Sequence, residues 1–277
     1  MSLLTVLRIE ALFVLALFLP LLVQLVALYL ISRALWGFTR RFFGRGLWLV
    51  LSLIGVPVHE LSHAIAFVLT GAGVQRVVLF APRGLPEYGG ATGVVVPRRS
   101  PSALSRLIAS VAPFFGCSLA AWLVLRVLLP GLTLSQPAAA LTLADLETTG
   151  LGQTAIGVLS GYLRGLVGAF TQLVWNDWRT FLALYLAASL GMGAAPSAED
   201  FRLFFPAMLG LLALLLPIFA AIQVFGNAET ALTTTRAVLG ALIIPVGSAL
   251  SYAALFALTA LLALMALAPL RGLVRRR

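Results

Sequence analysis

Long apolar runs separated by short joints of arginine, glycine or proline set the rhythm of this chain, and runs of that length predict helices rather than strands. The first covers 11–31, after Arg8 and Glu10. A basic connector holding Arg33, Arg40, Arg41 and Arg45 follows, with Gly44 and Gly46 as helix breaks. The second run, 47–69, carries Gly55 and Pro57 in its middle and stops at Gly71 and Gly73. A third covers 104–129, with Pro113 and Gly116 inside it, Arg126 near its end, and Pro130 and Gly131 as terminators. The fourth, 178–192, is short and has Trp175 and Trp178 as interfacial anchors. After the break at 193–200 a fifth run extends to Phe225, and the last covers 238–267.

Two stretches depart from this rhythm. Between Val74 and Arg99, the β-branched or apolar runs 75–80 and 91–96 bracket Pro82, Gly84, Pro86, Gly89 and Gly90, which predicts a β-hairpin with a long turn beside the second helix. The segment 133–168 is rich in Thr, Gly and Ala, holds Asp145, Glu147 and Arg164, and predicts an interfacial helix towards its end.

Composition turns these helices into membrane helices. The chain is 61% hydrophobic and 10% charged, with a mean hydropathy of +1.06, and a spanning helix needs about 20 apolar residues. The expected fold is therefore an α-helical polytopic membrane protein of about six transmembrane helices, with a short membrane-associated β-hairpin after the second. No internal repeat divides it, so 1–277 is expected to form a single membrane domain. Within it, 1–46 is an accessory first helix and connector, 47–225 the core, and 226–277 a C-terminal helix and basic tail. The first run exceeds a signal-peptide core and lacks a convincing cleavage site after it, so it is expected to be retained.

Lysine is absent, and arginine alone carries the net charge of +10. In a soluble chain that balance would suggest nucleic acid; flanking apolar spans, it is explained by topology and lipid headgroups, so the bilayer is the expected partner and nucleic acid is not. Placing the exit face of the second run inside puts eleven arginines (8, 76, 83, 98, 99, 106, 202, 271, 275, 276, 277) inside against eight outside, which favours both termini in the cytoplasm. The single cysteine, Cys117, has no internal disulfide partner.

Within the second run stands His59-Glu60-Leu61-Ser62-His63, which contains both histidines of the chain. A chance match of this composition to His-Glu-x-x-His arises roughly three times in ten thousand. Positions four apart share a helix face, so the two imidazoles can serve one Zn2+ ion, and Glu60 can flank it as a general base towards water. A catalytic zinc site needs a third protein ligand, and with no other histidine an acid must supply it. The pair lies in the second half of its helix, near the exit face. The fourth run returns to that face, bringing Glu199 and Asp200 there, whereas Asp145, Glu147, Asp177 and Glu229 fall on the opposite face, about 30 Å away. Glu87 shares the correct face from within a turn. Helix parity thus leaves Asp200, Glu199 and Glu87, and Ser197 and Asp200 are also placed to cap the fifth helix.

An apolar helix with His-Glu-Leu-Ser-His, a following hairpin, a span containing Ala112-Pro113-Phe114-Phe115-Gly116 and a later acid at a helix break resembles the site-2 protease family of intramembrane zinc metalloproteases, over 47–225. The resemblance implies one Zn2+ held by His59, His63 and Asp200, Glu60 as the general base, and a membrane protein or peptide as substrate. It also implies a multi-pass protein of a prokaryotic cell membrane. The family's usual Leu-Asp-Gly motif is missing; 195–200 stands in its place, as in a divergent branch of small prokaryotic relatives. Two other classes are compatible with the same residues. A different membrane zincin would take Glu199 as third ligand, and a non-proteolytic metal-binding membrane protein or transporter would dispense with Glu60.

Overall fold

A computed structural model describes residues 26–132 and 151–195, together with scattered helical positions at 202, 206, 210, 217, 221, 257, 261, 262 and 264–266. The start of the first apolar run, Asp145, Glu147, Glu199, Asp200, Glu229 and the basic tail lie outside the described residues.

Residues 26–42 are helical and constitute the described part of α1. The expected stop at Ile31 is not made, and Arg33, Arg40 and Arg41 lie on the helix instead of in a connector. Their side chains lie over aromatic rings: Arg33 is 5.6 Å from the Tyr29 ring and donates to its hydroxyl at 2.8 Å, Arg40 is 4.7 Å from Trp36, and Arg41 is 5.5 Å from Phe42. Two of these pairs are four residues apart, which is the spacing that supports a helix from its own surface. Gly44, at φ 84°, then ends it.

The second apolar run forms two helices, α2 (Arg45–Ser52) and α3 (Gly55–Leu69), bent by 52° at the joint. Pro57 explains the position of the joint, since it has no N–H to offer the Leu53 carbonyl four residues back. The opened end of α3 is closed from another helix: the Ser189 hydroxyl accepts from the N–H groups of Ile54 at 3.3 Å and Gly55 at 3.0 Å. Gly71 and Gly73, at φ 77° and 65°, reverse the chain into strands β1 (Val74–Val78) and β2 (Val94–Pro97). These pair antiparallel in the register Val78↔Val94, Val77↔Val95 and Arg76↔Val96, with an irregularity before Val74↔Pro97. A 3-10 turn, Pro86–Tyr88, forms the tip above an isolated Leu85↔Ala91 bridge.

Helix α4 (Ala103–Leu128) begins at Ser102, whose hydroxyl accepts from the Ser105 N–H at 3.1 Å. Helices α5 (Leu151–Thr171) and α6 (Trp178–Ala194) follow, and Asp177 caps the latter through the Arg179 N–H at 2.9 Å. Helices α3, α4 and α6 pack on one another to form the centre of the fold. The contact is built from small residues. Along α4, Ser105, Ala109, Pro113, Cys117 and Ala121 recur every fourth position and are buried, and α6 buries Ala183, Ala187, Ser189, Gly191 and Gly193. Where α3 crosses α6, Gly55 and Gly193 bring backbone against backbone, and a Cβ on Gly193 would fall 2.8 Å from the Gly55 Cα. Close approach of this kind maximises dispersion and main-chain contact between the helices. Around this centre Leu125, Ala169, Leu173 and Ala187 pack α5 against α4 and α6, while Leu35, Met192, Ala257 and Leu261 join α1 and the C-terminal positions to α6.

The described residues are thus mostly helical, with one small two-stranded sheet among them. Among the described residues α4 is long and apolar enough to cross a bilayer, as is the α2–α3 pair if taken as one bent span. The described residues therefore account for one or two of the roughly six spans expected from the hydropathy pattern. Trp175, just before α6, and Trp178, its first residue, are exposed at the positions where interfacial anchors were expected.

Candidate metal centre

His59 and His63 lie one turn apart on α3 and face into the α3–α4–α6 centre, with ring centroids 4.7 Å apart and planes at 76°. Each ring is fixed by a main-chain carbonyl of a different helix: His59 Nδ1 lies 2.6 Å from the Gly193 oxygen, and His63 Nδ1 lies 3.0 Å from the Ala109 oxygen. A carbonyl can only accept, so both Nδ1 atoms carry the proton and, in the neutral rings, both Nε2 atoms carry the lone pair. Those two Nε2 atoms converge to 3.0 Å.

The two carbonyls are accessible for local reasons. In a continuous helix the Ala109 oxygen would accept from the N–H of residue 113, but that residue is Pro113 and has none. The Gly193 oxygen belongs to the last turn of α6, where the helix ladder ends because the chain turns extended at Ala195 with ψ 123°. One ring is therefore oriented by an interrupted helix and the other by a terminated one.

The pair fits a small tetrahedral cation. Zn–N bonds of 2.0–2.1 Å at a tetrahedral angle separate two nitrogens by about 3.3 Å, a few tenths of an ångström more than the spacing here. Fixing the far nitrogen of a ligating imidazole through a carbonyl is also how metal ligands are held in one tautomer and orientation.

Glu60 is half-buried one residue along, against the hairpin. A Cβ on the buried Gly93, just ahead of β2, would fall 2.5 Å from Glu60 Cγ and 2.8 Å from Oε1. The hairpin thus lies directly over the carboxylate. It extends further, since a Cβ on Gly84 would fall 3.0 Å from an Arg45 guanidinium nitrogen. From Gly73 to Gly84 the hairpin accordingly runs back along the bent pair to the start of α2.

The remaining candidates separate clearly. Glu87 sits at the hairpin tip and pairs with Arg76 at 3.4 Å, both half-exposed, so the structure does not bring it to the histidines. Asp177 caps the far end of α6 from Gly193, about 24 Å along a helix of that length. Cys117 is a free, buried thiol 3.9 Å from the Gly55 oxygen, in the packing seam. Among the described residues no cluster of three or more His, Cys, Asp and Glu side chains is suited to hold a metal ion, and Asp200 and Glu199 are not among them. The sequence reading missed Ala109, Gly193 and Gly93, which contribute main-chain atoms or empty space. The one signal for them is the proline four residues after Ala109.

Compared with known protein families, curated proteins and solved structures, the chain matches none.

Proposed function

We propose that the chain is an intramembrane zinc metalloendopeptidase of the site-2 protease type, a multi-pass protein of about six spans in a prokaryotic cell membrane. The observation that carries this reading is the convergence of His59 Nε2 and His63 Nε2 at 3.0 Å, each ring held by a carbonyl, with Glu60 beside them. Two neutral rings held in this way present both Nε2 lone pairs to one point, as ligands of one cation do.

His59 and His63 would hold the ion with Asp200 as the third ligand. The carbonyl that orients His59 belongs to the end of α6, so the chain leaves that helix beside the histidines, and five residues from Ala195 to Asp200 reach at most about 17 Å. Zinc bound there supplies a Lewis acid and a water of lowered pKa. Glu60 takes the proton from the attacking water and passes it to the leaving amine. The hairpin over Glu60 offers extended backbone along which an unwound peptide is held by main-chain hydrogen bonds. Unwinding is required because the carbonyls of a transmembrane helix are engaged in its own hydrogen bonds.

The test pairs elemental analysis of the purified protein with cleavage of a transmembrane peptide in detergent. Wild type is expected to carry one zinc per chain, and Glu60→Gln to keep the zinc while cleaving about 10²–10⁴-fold more slowly. Wild type without zinc, or Glu60→Gln cleaving at the wild-type rate, overturns the reading. Wild type that carries one zinc per chain and cleaves nothing would identify a non-proteolytic metal-binding protein.

A further inference from the structure

The position of Pro113 carries more than a place in the packing of α4. It lies in the small-residue seam, four residues after Ala109, and the Ala109 oxygen is the atom that holds His63 Nδ1 at 3.0 Å. An ordinary residue at 113 would bring an N–H aimed at that same oxygen, and the helix bond would compete with the imidazole for it. Proline removes this competitor, and its ring pushes the carbonyl outward from the helix. We propose that Pro113 is a positioning residue for the metal centre: by withholding its N–H from α4 it commits the Ala109 carbonyl to His63, and so keeps His63 Nε2 aimed at His59 Nε2. The proposal rests on the metal-site reading above for its consequence, though not for its geometry. His59 serves as the internal control, because its carbonyl comes from the end of α6 and needs no proline.

A proline kept only to bend or pack α4 would leave the tautomer of His63 untouched, and this separates the two roles. Only two histidines exist, so selective 15N-imidazole labelling of the full chain in detergent gives one resonance set for each, assigned with His59→Ala. In metal-free wild type both rings are expected with Nδ1 protonated and Nε2 unprotonated. In Pro113→Ala, His63 becomes a mixture of tautomers while His59 is unchanged. Zn2+ affinity, measured by competition with a chromophoric chelator, falls about 10–100-fold, and the Co2+ d–d spectrum broadens. Pro113→Gly, which restores the N–H without a side chain, reproduces the result. Restored donors extend the α4 hydrogen bonding, so thermal unfolding should hold or rise.

Wild-type protein with His63 protonated on Nε2 overturns the proposal without recourse to any variant. So do Pro113 variants with wild-type tautomer and wild-type zinc affinity. A wild type that shows the expected tautomers and binds no zinc instead sinks the metalloprotease reading, leaving the positioning of His63 standing.

Discussion

At the scale of single residues the site depends as much on what is missing as on what is present. Gly93 lies against the Glu60 carboxylate with no room for a methyl group, yet its φ is not positive, so alanine meets no backbone penalty there. Gly93→Ala should therefore act through displacement of Glu60 or of β2 alone. Displacing a general base by about an ångström costs on the order of 10²-fold in rate. The expected outcome is a loss of that size in kcat/KM for a transmembrane peptide with zinc content unchanged, whereas loss of zinc would show that the clash reaches the ligands. Here the chain is only partly legible. His59, Glu60 and His63 stand out because their side chains bear the chemistry at a helical spacing. The Gly193 carbonyl is invisible, because every residue has a carbonyl and only the neighbouring fold decides which are unclaimed, and the Ala109 carbonyl is signalled by Pro113 alone.

Among the elements, the joint between α2 and α3 determines where the motif helix begins and hence which way the histidines face. Pro57 opens that joint, and Ser189 on α6 closes it by accepting two N–H groups from a distance of well over a hundred residues in sequence. Ser189→Ala would leave both donors buried without this acceptor, a loss of about 1–2 kcal/mol on the scale of helix capping. It should appear as a lower transition in detergent unfolding, with one zinc still bound per chain; unchanged stability would show that the cap is redundant. Hydropathy runs predict α4 and α6 to within a few residues at both ends and α3 at its C-terminal end, whereas the single run expected over 47–69 is divided between α2 and α3. The hairpin is legible too, from its valines and glycines. The ends of α1 and α2 are not, because stacking of arginine on aromatic rings extends α1 through residues that as a string look like a polar joint. The bend of 52° likewise depends on a cap from another helix, which no local pattern contains.

For the molecule as a whole, the proposed zinc site turns on which acid completes it. The expected parity of spans puts the end of the fourth apolar run at the histidine level, and the Gly193–His59 contact holds that end of α6 beside the motif. Whichever acid follows within a few residues of Ala195 has the reach to join, and Glu199 and Asp200 are the two that do. They differ in length and in the zincin class they imply. An aspartate gives the site-2 type, and a glutamate gives another membrane zincin. Glu87 no longer competes, since the hairpin tip holds it against Arg76. Asp200→Ala should abolish stoichiometric zinc while helical circular dichroism is retained, and Glu199→Gln should keep one zinc per chain and most of the cleavage. The opposite pattern would assign the third ligand to Glu199 and move the chain to the other class. Retention of zinc in both would mean that the ion is closed by a residue outside the α6 exit, and the architecture proposed here would fail at its central point: two imidazoles on one helix and a carboxylate from the return of another, meeting inside the bilayer.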